Sequence, residues 1–337
     1  AANIIGPRGV LPHDYRDWHQ NPFLRMCYWE YKLFFHTTMR TLSERGAGLT
    51  VGTMCIIRKK ALEVAGGWAH WCVTEDSELA IRIHAAGYDS LYITTSFGQG
   101  LIPTNFSDYK RQRFRWTAGP IQELKYHIGM LLPKFKSSEE KLTLLQRVHH
   151  LHHGIDRAHV GATYALLPVM IALILSMVYH QEVVHVPFEL WLTATVLLAG
   201  NLALTIAIYR IILNASIKDT IGALIASKSL THIIALASFS TLLTSDIEWV
   251  RTNKFNTITG FMIALKSTSS EIFLSVSLFA LSIGAFAFLP KTGLLLMLLI
   301  GIIYKAIDYL FAPLVSFIAY ISSRENTKYG TPNYDVP

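Results

Sequence analysis

Apolar positions change their spacing once along the chain. Up to about Arg157 they alternate with charged and polar residues, and from Gly161 to Tyr320 they gather into long runs. In the first stretch, residues 23–45 carry apolar and aromatic side chains at helical spacing and stop at Gly46 and Gly48, which predicts a helix. Residues 49–57 (LTVGTMCII) are β-branched around Gly52 and predict a buried strand. Within it, Gly52-Thr53 suits either a close backbone approach by a ligand or a bulge. A short helix over 60–64 ends at Gly66-Gly67. Residues 76–86 (DSELAIRIHAA) predict an amphipathic helix with Leu79, Ile83 and Ala86 on one face, stopped by Gly87. Residues 88–94 alternate as a strand. Asn105 is placed to cap a helix that continues through Arg115 or beyond.

The second stretch predicts membrane elements. Residues 137–157 (SSEEKLTLLQRVHHLHHGIDR) set Leu142, Leu145, Val148 and Leu151 in a stripe beside Lys141, Arg147 and histidines, the pattern of a helix lying in the headgroup plane. Residues 161–179 and 190–212 are apolar for long enough to span a bilayer. The connection 180–189 has no Lys or Arg and is expected to face outward. Residues 219–245 are only moderately apolar and carry Lys228 and His232. If they spanned, Arg251 and Lys254 would lie outside, so charge favours an interfacial or re-entrant helix. Residues 271–289 and 293–320 are the last spans, joined by Pro290-Lys291-Thr292. Lys305 and Asp308 fall inside the final span, where they mark either a pathway or a mutually neutralised pair. The tail 321–337 is polar.

Composition supports this division. The chain is 51% hydrophobic and 16% charged, with a mean hydropathy of +0.34, less charge than a soluble protein of this length carries. The net charge is +7, and 20 of the 30 Lys and Arg precede Gly161. That asymmetry suits the cytoplasmic side of a membrane and an anionic substrate. Nucleic acid is excluded as the partner because no groove-reading motif accompanies the basic residues and half of the chain requires lipid. Cys27, Cys55 and Cys72 lack a CxxC spacing and imply a reducing compartment without disulfides. The chain opens on Ala1-Ala2-Asn3 with neither Met nor signal peptide, which predicts that it begins inside a longer protein.

Two short motifs carry candidate chemistry. Thr74-Glu75-Asp76 lies at a strand-to-helix junction. It is read either as an N-cap with acids in the first turn or as a loop presenting a general base. Roughly 40 positions later comes Gln112-Arg113-Phe114-Arg115-Trp116. Gln112, Arg115 and Trp116 are three and four apart and share neighbouring faces of one helix. Arg115 could grip a diphosphate with its planar fork, Gln112 could bond to phosphate or sugar, and Trp116 offers a flat surface for a pyranose ring. A surface helix with a half-buried Trp and solvated cations is the alternative. His149, His150, His152 and His153 have ligand-like spacing without an accompanying carboxylate or Cys. They are expected to touch phosphates or the preceding domain rather than a metal.

The ordered set from Gly52 to Gln122 resembles the second half of the catalytic domain of membrane-embedded family 2 glycosyltransferases such as cellulose synthase and hyaluronan synthase. The matching residues are Gly52-Thr53, Arg58-Lys59 through Gly66-Gly67-Trp68, Thr74-Glu75-Asp76, Gly87-Tyr88, Leu101 to Phe106, and Gln112 to Trp116 with Gly119 and Gln122. The resemblance implies an α/β fold, a partial GT-A (nucleotide-diphospho-sugar transferase-like) domain, followed by an α-helical membrane domain of about four transmembrane helices plus interfacial helices. The implied division is 1–136 catalytic and cytosolic, 137–160 interfacial, 161–320 membrane and 321–337 tail, with a gating-type loop over 246–270. It implies Asp76 as the catalytic base, with Gly52, Thr53, Thr74, Glu75, Gln112, Arg113, Arg115 and Trp116 around donor and acceptor. Trp249, Arg251, Thr252 and Lys254 loosely match the family's gating loop.

The family's uridine-binding aspartates and its Asp-x-Asp have no counterpart before Gly52. No metal ligand is therefore expected in this chain, and Mg2+ or Mn2+ would be held mainly by a preceding half. The implied enzyme moves sugar from a UDP-glucose-like donor to a growing polysaccharide at the inner membrane, with the catalytic domain cytosolic. Transfer of one sugar to a lipid or short glycan is the alternative within the class. A noncatalytic channel or assembly protein with a decayed transferase domain is the alternative outside it. The motifs do not specify accessory subunits.

Overall fold

The computed structural model describes residues 21–52, 55–95, 102–132, 141–181, 187–248 and 260–328. Helix α1 (Pro22–Leu33) starts at the Asn21 cap, whose side chain accepts the Leu24 amide at 3.0 Å. It continues through a π-helical turn (Phe34–Thr38) into α2 (Met39–Glu44), so the helix expected over 23–45 is present with a local underwound turn. The short α3 (Lys59–Val64), α4 (Glu75–Ala85) and the long α5 (Phe106–Leu131) follow where the pattern placed them. Asn105 caps α5 by accepting the Asp108 amide at 2.9 Å.

The two expected strands are not formed: among the described residues there is no β-strand. A strand exists only through a lateral partner, and residues 88–95 instead lean on α2 and the loop after it. The Tyr92 amide donates to Ser43 Oγ at 2.7 Å, and Ser90 Oγ donates to the Gly48 carbonyl at 2.8 Å. The β-type side chains Ile56 and Leu91 point outward, Leu91 83% exposed. The α/β character read from the pattern thus resides in unpaired segments.

Helix α6 (Leu144–Tyr179) corrects a second expectation. An interfacial helix over 137–160 was to precede a separate span, yet α6 runs unbroken for 36 residues, about 54 Å. It opens with a capping box between Thr143 and Gln146. Nothing between Arg157 and Gly161 can stop it, because Gly161 is fixed by close packing: a Cβ there would lie 2.5 Å from the Phe239 amide nitrogen. The apolar stripe divides accordingly. Leu142 and Leu151 join a cluster with Ile81, Ala85 and Leu131, while Leu145 and Val148 stay exposed.

Helices α7 (Phe188–Ala207, extended by a π-helical turn, Ile208–Ile212), α8 (Ile217–Ser229), α9 (Thr231–Leu243), α10 (Phe261–Lys266), α11 (Ser269–Phe288) and α12 (Gly293–Lys328) complete the described chain. Among the described residues, five stretches are long and apolar enough to cross a membrane, by length and composition: Leu144–Tyr179, Thr195–Ile212, Ile217–Leu243, Ser269–Phe288 and Gly293–Arg324. That is one more than the four expected. The addition, α8 with α9, is interrupted at Leu230.

One apolar core joins the polar and apolar halves. Phe23, Cys27, Tyr31, Phe106 and Tyr109 of α1 and α5 pack with Ala226 and Leu230 of the α8–α9 pair and with Ala312, Val315 and Ala319 of α12. Ion pairs reinforce this junction. Arg25 of α1 holds Asp219 of α8, with Nη2 to Oδ2 at 3.0 Å. Lys110 of α5 reaches the buried Glu271 of α11 at 2.5 Å. Within the helices, Asp308 is bracketed by Lys305 at 2.9 Å and Lys228 at 3.3 Å. The two charges read from the last span are therefore paired with each other, and Lys228 of α8 joins them on the same carboxylate.

Candidate active site

Asp76 is the second residue of α4. The expected cap is missing at this helix start: the Thr74 side chain caps nothing and donates instead to Glu123 Oε1 at 2.9 Å. Ser77 Oγ donates to the same oxygen. Asp76 Oδ1 accepts the Ser77 amide at 2.9 Å, and its backbone carbonyl accepts the Thr50 hydroxyl. Glu78, another first-turn acid, is fully buried and tied to Arg82 and His127, both at 2.7 Å, so it serves packing. Gly52 lies against the Asp76 carboxylate in a left-handed conformation (φ 67°), and a Cβ there would sit 2.7 Å from Oδ2. Burial pushes the Asp76 carboxyl up to about 6, with Glu75 adding to it and the Ser77 amide and Arg115 opposing it.

A cavity of about 110 Å³ opens beside this carboxylate. Its lining comes from Thr74, Asp76 and Ser77 at the start of α4, from Arg113, Trp116 and Pro120 of α5, from Phe34, Phe35 and residues 49–51, and from His153 and Arg157 of α6. The acid and the indole of two separate motifs therefore share one space. Trp116 is half-buried; its ring lies 5.3 Å from that of Tyr31, with the Arg113 guanidinium 5.2 Å from its centroid.

The other sequence-predicted residues divide. Arg113 lines the cavity, but its charge is engaged by Glu30 and lies within 6 Å of the Tyr31 and Tyr109 rings. Gln112 is buried, and its Oε1 accepts the Tyr31 hydroxyl, so it braces α5 on α1 and does not line the cavity. Arg115 also stands outside the lining; burial lowers its pKa against the attraction of Glu75 and Asp76. Glu75 is half-exposed. Thr53, Trp249, Arg251, Thr252 and Lys254 lie outside the described residues.

Sequence reasoning gave no role to Glu123 and Arg157. Glu123 could have been reached from Gly119, since the two are four apart on one face of α5. That face meets the start of α4, where a Cβ at Gly119 would lie 1.8 Å from Thr74 Oγ1. No short-range signal marks Arg157, which reaches the cavity only because α6 is continuous. Of the four histidines, His153 lines the cavity and His150 meets the preceding domain. His150 Nε2 lies 2.9 Å from His84 Nδ1, and His84 Nε2 lies 2.9 Å from Ser90 Oγ. Because Ser90 donates to Gly48, the order of donors is fixed as His150 to His84 to Ser90, with both rings neutral. Burial holds His84 down at about 4, in keeping with that state. Among the described residues no group of three or more His, Cys, Asp or Glu could hold a metal ion. The donors present therefore do not fit the divalent cation that the resemblance implies.

Comparison with known proteins now decides the family. Residues 15–212, which make up 198 of the 337 in the chain, match the family described as glycosyl transferase family group 2. The chain belongs to that glycosyltransferase family. It is also similar to the "Cellulose synthase catalytic subunit [UDP-forming]" of Xanthomonas axonopodis pv. citri (strain 306), 29% identical over 128 residues. The match takes in 38% of this chain and 17% of that protein, so the chain spans about a sixth of its relative's length. Family membership supports a transferase, and the long apolar helices indicate a membrane protein. The matched segment runs past the cavity and into α7, so this family 2 member carries its motifs and its first apolar helices in one continuous unit.

Proposed function

We propose that this glycosyltransferase moves a sugar from a UDP-glucose-like donor to the end of a growing polysaccharide, with inversion at the anomeric carbon, and passes the product outward through its membrane helices. One observation carries the reading: Asp76 and Trp116 line the same cavity. An acceptor sugar resting on the indole would bring its hydroxyl to a carboxylate whose affinity for protons is raised by burial, as suits a general base. Asp76 takes the hydroxyl proton as the oxygen attacks the anomeric carbon. Arg115, in the field of Asp76 and Glu75, faces the charge that develops on the departing diphosphate. Gly52, lacking a Cβ, lets the backbone lie against Oδ2 without displacing the carboxylate. The metal donors being absent from the described residues, no step is assigned to a cation.

The same reading places α4, α5 and the cavity on the cytosolic side of the inner membrane, with α8 and α9 along the interface. Both ends of this helix pair are tied to polar helices that contact each other. Asp219 at its start is held by Arg25 of α1, while Lys125 of α5 donates to the Thr241 carbonyl near its end at 3.0 Å. The Tyr109 hydroxyl of α5 bonds to Glu30 of α1 at 2.8 Å. These ties to polar helices at both ends support the interfacial reading.

The test is Asp76→Asn in membranes carrying the complete polypeptide, with UDP-glucose as the probe donor. Sugar transfer is expected to vanish while nucleotide binding survives. Polymerisation by this variant at the wild-type rate would remove Asp76 as the base.

A further inference from the structure

The carboxyl group of Glu123 is buried, is bonded to the turn that carries Asp76, and is not used by the chemistry above. It is 2% exposed, and its Oε1 receives two hydroxyls, from Thr74 at 2.9 Å and from Ser77. These are the residues two before and one after Asp76. Thr74, at the N-cap, could have satisfied a free amide of its own helix start, as Thr ordinarily does, yet its side chain makes no such bond. The adjacent Gln122 extends the attachment by accepting the Val73 amide at 3.0 Å. Gly119, one turn earlier, allows α5 to approach Thr74 this closely. The segment 73–77 is thus fastened to α5 on one side of Asp76 and reaches the cavity on the other.

We propose that Glu123 is a positioning residue for the base: an uncharged carboxyl that holds the Thr74–Ser77 turn, and with it Asp76, on the same helix that carries Trp116. This rests on the reading of Asp76 as the base. The ionisable groups facing Glu123 are Asp76, Glu78 and Cys72, from the segment 72–78. Glu78 has its own partners in Arg82 and His127. No cation pairs with Glu123 among the described residues, and its Oε2 is buried without a hydrogen-bond partner. Burial and the two neighbouring carboxylates push the group up to about 8, so the proton stays on at neutral pH. A neutral Glu123 still accepts both hydroxyls while placing no second negative charge beside Asp76 or the departing diphosphate.

Two substitutions separate the tether from the charge. Glu123→Met keeps the volume and removes the acceptor; Glu123→Gln keeps the acceptor oxygen and can never ionise. With UDP-glucose as probe donor, Glu123→Met should lower kcat by about tenfold or more with donor KM changed less than about twofold, and Glu123→Gln should bring kcat back to within about threefold of wild type. The acid limb of the Glu123→Gln profile should keep the wild-type midpoint, because a neutral group has been replaced by a neutral one. Amide hydrogen exchange over 73–78 should rise in Glu123→Met and not in Glu123→Gln, a measurement that needs no turnover. A wild-type rate or unchanged exchange in Glu123→Met would overturn the positioning role. So would a Glu123→Gln as slow as Glu123→Met, and a fall in its acid-limb midpoint would show that Glu123 is charged. Failure of the base assignment has a different signature: Asp76→Asn then transfers sugar normally, whatever the exchange data show.

Discussion

Gly52→Ala tests whether the space at the Asp76 carboxylate matters to the chemistry. Two costs follow from the structure. The left-handed backbone (φ 67°) penalises any L side chain by about 1–2 kcal/mol, which is felt as stability. The new Cβ would stand 2.7 Å from Asp76 Oδ2, so the carboxylate must retreat by roughly 0.5–1 Å to regain ordinary contact. A displacement of that size at a reacting group costs on the order of 100-fold in rate, or about 2.7 kcal/mol in the barrier. Gly67→Ala supplies the control. Gly67 has a comparable φ of 76°, and a Cβ there meets nothing within 4 Å. It therefore bears the backbone cost without touching the site. Thermal unfolding in detergent should show similar losses for the two variants, and initial rates of sugar transfer should fall only for Gly52→Ala. Equal rates in the two variants at equal stability would refute the claim that Gly52 keeps the carboxylate in its working position.

Further consequences can be read in the same preparations. Because burial raises the Asp76 carboxyl to about 6, its base form is lost as pH falls through that value. The kcat profile should therefore drop below about pH 6, and activity held level to pH 5 would contradict it. Trp116→Ala should shorten or stop the polymer, measured by product sizing, and unchanged length would remove the indole from acceptor binding. Lys110→Met would leave Glu271, 1% exposed, as an uncompensated buried charge. Its cost should be about 3–5 kcal/mol, read by denaturation in detergent. A shift under about 1 kcal/mol would show that this pair does not fasten α5 to α11.

Helix starts and stops were legible because they depend on short-range chemistry. Asn21 and Asn105 cap the helices that follow them, and Gly87, in the left-handed region, ends α4. The strands were not recoverable in the same way. Residues 49–57 and 88–94 have β composition, but a ladder depends on a neighbour that a local pattern does not supply. The boundary between an interfacial helix and a span failed for a related reason. A change of polarity at residue 160 alters what surrounds a helix without breaking it, and α6 continues. Asp76 and Trp116, picked from separate motifs, line one cavity. Gln112 lies outside that lining, because spacing fixes the face of a helix but not which neighbour that face meets; here the neighbour is Tyr31.

The position of the cavity among the helices follows from α5. Over 26 residues this helix presents different faces to different partners. Trp116 and Pro120 line the cavity, and Gly119, Gln122 and Glu123 hold the start of α4. Lys110 is bonded to α11, Lys125 to the end of α9, and Gln122 Nε2 to the Ser245 carbonyl beyond it at 2.8 Å. The acid at the start of α4 and the aromatic platform are therefore referenced to one rigid element, itself fastened to the apolar helices at both ends. A substitution that loosens α5 from α9 or α11 should move base and platform together and preserve their mutual geometry. One that loosens α5 from α4 should separate them. The first kind should disturb delivery of product to the membrane helices, and the second should disturb the proton transfer itself.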